Sequence, residues 1–184
     1  MSSHKLMQIQ DKDFDAVDRF KVIAKKYCSI IDSRHAIEKT DFLLQIYRIL
    51  PELISEAIRL PLVQLGDDQC EEKEASTRES RAEREMKHEE WWELYNSLKE
   101  KFGNWDLYWQ VFDPRTDNEA IHGSLADDIA DIYRELRDGI DLMESDEAPP
   151  YEIIFEWRLG FFSHWGKHAI DALRTSHFLL EGTL

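Results

Sequence analysis

The chain has 184 residues, of which 42% are hydrophobic and only twelve are Gly or Pro. This is the composition of one globular domain, residues 1–184, with room for long uninterrupted helices. The formal net charge is −15, and a field of that sign repels nucleic-acid phosphates and anionic lipids, which excludes direct binding of nucleic acid or of a membrane surface.

The N-terminal residues 1–12 contain no apolar core of a signal peptide, and no later run of apolar residues is long enough to span a bilayer. The two cysteines, Cys28 and Cys70, do not form the spacing pattern of a disulfide framework. These observations predict a cytoplasmic protein.

Two helices are predicted from apolar residues that recur at steps of three and four. The first covers residues 14–34. The second begins near Thr40 or Asp41, and it is apolar around much of its circumference, so we expect it in the middle of a bundle. Pro51 removes a backbone donor and predicts a kink that divides this central helix into two stacked halves, and Pro61 marks its end.

Residues 66–85 contain no large apolar side chain, so they cannot bury enough surface to offset the entropy of ordering. They are predicted to be a mobile acidic linker within the domain. A third helix is predicted over residues 86–102, with Gly103 in a left-handed cap. Aromatic residues between Trp105 and Phe112 recur at helical spacing and predict a short helix whose rings fill the core.

The fourth helix is predicted over residues 124–143, with Ser124 as its N-cap. Asp128, Asp131 and Glu135 lie on one shoulder of it, beside the apolar face. Carboxylates three and four residues apart can bind a metal ion or a basic side chain. Residues 105–148 also carry thirteen acidic and three basic side chains, so this part of the surface is either solvated or binds a basic partner.

Arg158 interrupts the apolar face of the last predicted helix, WRLGFFSHWGKHAIDALRTSHFLL. A buried guanidinium without a partner is very costly, so Arg158 is expected to meet a carboxylate from another helix. Asp128 or Asp131 of the fourth helix is the predicted partner. These three residues would form a buried polar network between the two helices.

His164 and His168 lie four residues apart at the border of the same apolar face. Histidines at this spacing can bind one metal ion, although the glutamate of the HExxH motif is absent between them. Further ligands would come from the carboxylates of Asp131, Glu135 and Asp171. His177 projects elsewhere on the helix. The alternative is that the two histidines only form hydrogen bonds across the bundle.

Two C-terminal blocks resemble the signature of a bacterial all-helical family, domain of unknown function 5063. They are SLADDIADIYRELRDGIDLM and WRLGFFSHWGKHAIDALRTSH. The segments ILPELISEAIRLP and NWDLYWQVFDP also resemble that family, whereas residues 66–85 match none of its blocks. The resemblance spans about Phe14 to His177. It implies a helical fold and a bacterial source, and it implies no established activity.

The sequence therefore predicts an all-α, single-domain bundle of about five to six helices, and it leaves three functions open. The first is a non-enzymatic interaction or adaptor protein with an acidic surface. The second is a metal- or small-ligand-binding protein or enzyme that uses His164 and His168 with carboxylates of the fourth helix, its cofactor being a divalent metal ion. The third is an acidic inhibitor or immunity-type protein of a basic partner. Neither a serine or cysteine nucleophile group nor a phosphate-binding glycine loop is visible, which favours a non-enzyme.

Overall fold

The chain folds as an all-α bundle, as predicted, and the computed structural model describes residues 11–63, 86, 88–111, 113, 115–145 and 148–181. Its α-helices are α1 (Asp11–Asp32), α2 (Lys39–Ile58), α3 (His88–Phe102), α4 (Leu125–Glu144), α5 (Pro150–Gly160) and α6 (Gly166–Leu180). The other elements are a 3-10 turn at Gly103–Trp105, strands β1 (Leu107–Gln110) and β2 (Ile121–Ser124), and a π-helical turn at Phe161–Trp165. The predicted linker at 66–85 lies outside the described residues.

Helix α4 lies at the centre of the bundle and packs against α1, α3, α5 and α6. Its apolar positions, spaced three and four residues apart, are Leu125, Ile129, Ile132, Leu136 and Ile140, and all are buried. Full burial of one aliphatic side chain contributes about 1.5–3 kcal/mol, so this face fixes the rotation of α4 about its axis. The same rotation sets the direction in which the shoulder carboxylates point.

Helix α2 packs against α1 and α6 and buries seven residues along its length. Pro51 lies inside α2 on its exposed side, and the helix continues through it to Ile58. The helix assignment is therefore continuous through Pro51, and the kink at this residue stays a prediction. Across the described ranges, no helix combines the length and the apolarity needed to cross a membrane.

The aromatic segment after α3 forms a strand, and the predicted short helix is wrong. Gly103 does end α3 in a left-handed conformation, with φ 58°. Strand β1 then pairs antiparallel with β2, with Tyr108 opposite Gly123 and Trp109 opposite His122. Trp109 remains 63% exposed, so its spacing does not reflect core burial. A pairing with a strand further along the chain leaves no local periodicity that could have revealed it.

The N-terminus of α4 is capped from two directions. Ser124 is the predicted N-cap, and its hydroxyl oxygen accepts from the Asp127 N–H at 3.2 Å. Asp106, at the start of the hairpin, adds a cap that the sequence does not predict. Its Oδ1 accepts from the Ala126 N–H and from the Ser124 hydroxyl, both at 2.9 Å. The base of the hairpin is thereby bonded to the first turn of α4.

The predicted last helix consists of α5, the π-helical turn and α6 in direct succession. Trp157 and Trp165 project from it into the core, and Trp157 packs edge-on against Phe20 of α1 with ring centroids 4.9 Å apart. The Trp165 indole N–H donates to the Trp157 carbonyl at 3.3 Å. Large buried rings therefore hold the segment against α1 and α4, and its polar border faces α4.

Candidate metal centre

Two of the three histidines of the last helical segment face the same carboxylate of α4. His164 lies in the π-helical turn and His168 in α6, with their ring centroids 4.9 Å apart. The Nε2 atoms of His164 and His168 each lie 3.6 Å from Asp131 Oδ2. Three potential ligand atoms from two helices therefore converge on one point.

The other ring nitrogen of each histidine faces a second carboxylate. His164 Nδ1 lies 3.1 Å from Glu135 Oε1, and His168 Nδ1 lies 2.8 Å from Asp128 Oδ1. Because an ionised carboxylate only accepts hydrogen bonds, these contacts favour a proton on each Nδ1, and in the neutral imidazole this leaves the lone pair on Nε2. Carboxylates orient metal-binding histidines in proteins in the same way. When neutral, rings held in this way present Nε2 to a cation.

Asp131 is held by its other oxygen. Oδ1 accepts from the Trp91 indole N–H at 2.9 Å and lies 3.1 Å from the Arg134 guanidinium. That guanidinium also lies over the Trp91 ring, 5.9 Å from its centroid. Since two donors occupy Oδ1, the remaining oxygen Oδ2 is directed toward the two histidines.

The site is rich in partly or fully buried carboxylates. Burial raises the pKa of Asp128 to about 6, although hydrogen bonds from His168 and Tyr108 act in the opposite direction. Burial disfavours the cation of His168, but the hydrogen bond to Asp128 and the nearby aspartate charges raise its pKa above the usual value. Burial also raises the pKa of Asp127 and Asp171. Any cation bound here would stabilise these carboxylates in their ionised form.

The three convergent atoms have the spacing of an open metal site. Those of Asp131, His164 and His168 all lie within 4.8 Å of one another. Two ligands bound tetrahedrally to zinc at about 2.0–2.2 Å lie roughly 3.3–3.6 Å apart, a range that reaches the 3.6 Å between Asp131 Oδ2 and each Nε2. The His164 side chain is 39% exposed and that of Asp131 11%, so the centre opens to solvent beside His164.

Two carboxylates predicted as further ligands lie outside this group of three. Glu135 binds His164 through Nδ1, on the opposite side of the ring from Asp131. Asp171 lies outside every potential ligand group that the described part of the chain contains. His177 is also apart, with Nδ1 3.1 Å from the Tyr47 hydroxyl oxygen. Three protein ligands would leave coordination positions of a bound ion open.

Two glycines flank the π-helical turn and allow it to form. A Cβ at Gly166 would lie 2.1 Å from the Phe161 carbonyl oxygen, and a Cβ at Gly160 would lie 3.0 Å from Glu135 Oε2. Gly166 therefore permits the widened turn, and Gly160 permits the close approach of the carboxylate that holds His164. Single π-helical turns of this kind are frequent at functional sites.

The predicted pairing of Arg158 with Asp128 or Asp131 is wrong. The Arg158 guanidinium donates to the Leu60 carbonyl at 2.6 Å, just after the end of α2, and it lies over the Phe162 ring. Main-chain carbonyls at a helix C-terminus carry partial negative charge and satisfy a half-buried cation. Helical projection placed Arg158 within the apolar face, where it is half-buried, but it could not distinguish a carboxylate of α4 from the end of α2.

Three residues that contact the site carboxylates were missed by sequence reasoning. Trp91 and Arg134 bind Asp131, and the Tyr108 hydroxyl donates to Asp128 Oδ2 at 2.6 Å. Trp91 and Tyr108 had been counted only as apolar positions of predicted helices. The only signal in the sequence is a general one. A buried indole N–H or phenol O–H needs a hydrogen-bond acceptor, but this rule does not say which acceptor it is.

The comparisons with known proteins agree with this fold. The chain matches the crystal structure of protein BF1032 from Bacteroides fragilis with a TM-score of 0.71 and 21% sequence identity. The match covers 90% of this chain and 93% of that one, and at this identity it establishes the fold alone. No curated protein matches the sequence. The family model for the domain of unknown function DUF5063 matches residues 12–181. The chain therefore belongs to the DUF5063 family.

Proposed function

We propose that this protein binds a divalent transition-metal ion through His164 Nε2, His168 Nε2 and Asp131 Oδ2. One observation carries the proposal. A single carboxylate oxygen faces both Nε2 atoms, while separate carboxylates hold both Nδ1 atoms. Metal-binding histidines in proteins are commonly held in this way, with one ring nitrogen toward the ion and the other bonded to a carboxylate or carbonyl oxygen.

A network of hydrogen bonds alone accounts less well for the same geometry. At 3.6 Å, each contact between an Nε2 atom and Asp131 Oδ2 is longer than a good hydrogen bond. Three negative charges, from Asp128, Asp131 and Glu135, surround the histidine pair. A cation between the three facing atoms would replace these long contacts with metal–ligand bonds and offset that charge.

The donor set favours particular metals. Two imidazoles and one carboxylate suit zinc, iron(II), cobalt or nickel, whereas magnesium and calcium prefer oxygen ligands throughout. When bound, such an ion would supply Lewis acidity and an acidified water molecule at its open positions. The residues of the chain would orient the ion through Trp91, Arg134 and the two outer carboxylates.

Binding of a basic protein partner through the acidic surface stays a prediction, as do the adaptor and inhibitor functions that depend on it. Several acidic side chains of α4 are already engaged within the chain, which gives the metal proposal priority. Asp138 accepts from the Met86 N–H at 3.1 Å, and Asp141 pairs with Arg137 at 3.1 Å.

Metal titration of the full chain tests the proposal. Protein made without an affinity tag and stripped by a chelator is titrated with Zn²⁺, Co²⁺, Fe²⁺ and Mg²⁺ by calorimetry. We expect one Zn²⁺ or Co²⁺ per chain and no tight binding of Mg²⁺. The substitutions His164→Ala and Asp131→Asn should each weaken binding by at least about 100-fold, because each removes one of three ligands.

His177→Ala is the matched control, because it removes a histidine of the same helix that lies outside the centre. It should bind metal as the unmodified chain does. Circular dichroism of every variant confirms that the helices remain folded. Substoichiometric binding by the unmodified chain, or equal losses in His164→Ala and His177→Ala, would refute the proposal.

A further inference from the structure

Tyr108 of strand β1 reaches the candidate metal centre through Asp128. Its hydroxyl donates to Asp128 Oδ2 at 2.6 Å, and Asp128 Oδ1 accepts from His168 Nδ1 at 2.8 Å. We infer that Tyr108 is a positioning residue that keeps His168 in the metal-binding tautomer, an inference that rests on the proposed function. The hairpin would thereby control the affinity of a centre that it does not itself contact.

The direction of each hydrogen bond follows from the arrangement. The phenol donates to Oδ2, and an ionised Asp128 accepts at Oδ1 from His168 Nδ1. In the neutral imidazole this arrangement leaves the lone pair on Nε2, which faces Asp131 Oδ2. Burial, together with the charge of Asp128, raises the pKa of Tyr108, so the phenol keeps its proton and remains a donor.

The backbone of the hairpin places the phenol. Tyr108 lies opposite Gly123, and a Cβ at Gly123 would sit 2.4 Å from Tyr108 Cζ, so the ring packs directly over the glycine. The Asp106 carbonyl accepts from the Leu125 N–H at 2.8 Å, which binds the strand to the helix that carries Asp128. The Tyr108 hydroxyl is therefore held at a fixed distance from that carboxylate.

Loss of the hydroxyl would loosen the hold on His168. Asp128 is only 3% exposed, so water cannot easily replace the phenol at Oδ2. The Asp128 side chain would then rotate toward another hydrogen-bond donor, and its hydrogen bond to His168 Nδ1 would weaken. The proton of the imidazole would spend more time on Nε2, where it blocks the metal. Removal of such outer partners typically lowers metal affinity 10- to 100-fold.

The substitution Tyr108→Phe tests the inference, with Tyr133→Phe as the matched control. The Tyr133 hydroxyl also donates to an aspartate, Asp32 of α1, at 2.8 Å, so both variants lose one tyrosine–carboxylate hydrogen bond. Zinc affinity is measured on the full chain by competition with a chelating dye. We expect a loss of about 10- to 100-fold for Tyr108→Phe and no change for Tyr133→Phe.

A second measurement needs no metal. Long-range ¹H–¹⁵N NMR of the metal-free chain, recorded at alkaline pH where His168 is neutral despite its raised pKa, reports which nitrogen of His168 carries the proton. We expect the Nδ1–H form in the unmodified chain and in Tyr133→Phe, and a larger Nε2–H fraction in Tyr108→Phe. Unchanged zinc affinity together with an unchanged tautomer would overturn the role of Tyr108. Failure of the unmodified chain to bind zinc would instead overturn the proposed function.

Discussion

Asp131 owes its orientation to side chains of α3, of its own helix and of the last helical segment. Trp91 of α3 and Arg134 one turn along α4 bind its Oδ1, and the two histidines face its Oδ2. Neighbouring carboxylates of α4 have the same chemistry and similar positions on the helix. These carboxylates differ in what they can bind because their partners differ. A carboxylate with one oxygen already hydrogen-bonded has only the other oxygen free for a further contact.

Arg158 gives a prediction at the scale of a single residue. Arg158→Met should destabilise the fold by about 1–2 kcal/mol, because a charge-assisted hydrogen bond to the Leu60 carbonyl is lost in a half-buried position. Arg174→Met is the control, since the exposed Arg174 lies over the Phe178 ring in a comparable contact. It should change stability by less than about 0.5 kcal/mol.

Urea denaturation followed by circular dichroism measures both variants. Metal affinity should stay unchanged in each, because neither guanidinium contacts the centre. An equal effect of the two substitutions on the unfolding free energy would show that the carbonyl contact of Arg158 adds nothing.

Among the elements, the π-helical turn has the greatest influence on the site. It places His164 in a widened turn and His168 in the regular helix that follows. The turn brings the Phe161 carbonyl oxygen into the space that a side chain at position 166 would fill. The element therefore depends on one glycine more than on the aromatic residues that dominate its sequence.

Gly166→Ala should destabilise the protein by about 2–3 kcal/mol, because its Cβ would collide with main chain rather than with a flexible side chain. This sign is opposite to the gain of about 1 kcal/mol that replacing Gly by Ala gives in an ordinary helix interior. Gly160→Ala should cost less, since its Cβ would meet the flexible end of Glu135 at 3.0 Å as well as the Trp165 ring.

Chemical denaturation of the two alanine variants in parallel checks this order. If Gly166→Ala stabilises the fold as propensity alone predicts, then the turn does not need the glycine and the π-helical geometry is not a constraint.

For the whole molecule, the candidate site exists only when the bundle is assembled. Asp131 lies on α4, the two histidines lie in the π-helical turn and in α6, and Tyr108 lies on the hairpin. An unfolded chain would not hold these groups together. A metal that binds only the folded form must therefore stabilise it by mass action.

We expect Zn²⁺ at about 100 times its dissociation constant to stabilise the fold by about 2.7 kcal/mol, with a matching rise in Tm. His164→Ala should unfold at a temperature that no longer depends on zinc. Differential scanning calorimetry with and without metal measures both, and His177→Ala serves as the control. A Tm shift of equal size in His164→Ala would mean that zinc stabilises the protein at some other place.

Much of the architecture follows from local pattern. The apolar period of α4, the cap at Ser124 and the left-handed Gly103 were all predicted, because each depends on residues close in the chain. The prediction of a helix at Trp105–Phe112 is wrong because the structure of this segment depends on residues that are distant in the chain. A hairpin is stabilised by a partner strand, and aromatic residues on a short strand can repeat at helical spacing by chance.

The candidate site also has one part that local sequence pattern predicts and another that only the tertiary structure decides. The sequence placed His164 and His168 on one border of a helix, and Asp131 on the shoulder of another, because helical periodicity alone fixes such faces. Only the tertiary structure decided that these borders meet, that Glu135 and Asp128 bind the rings from outside, and that Arg158 turns to the end of α2. Packing of the helices chooses among partners of equal chemistry, and that choice depends on contacts between residues far apart in the chain.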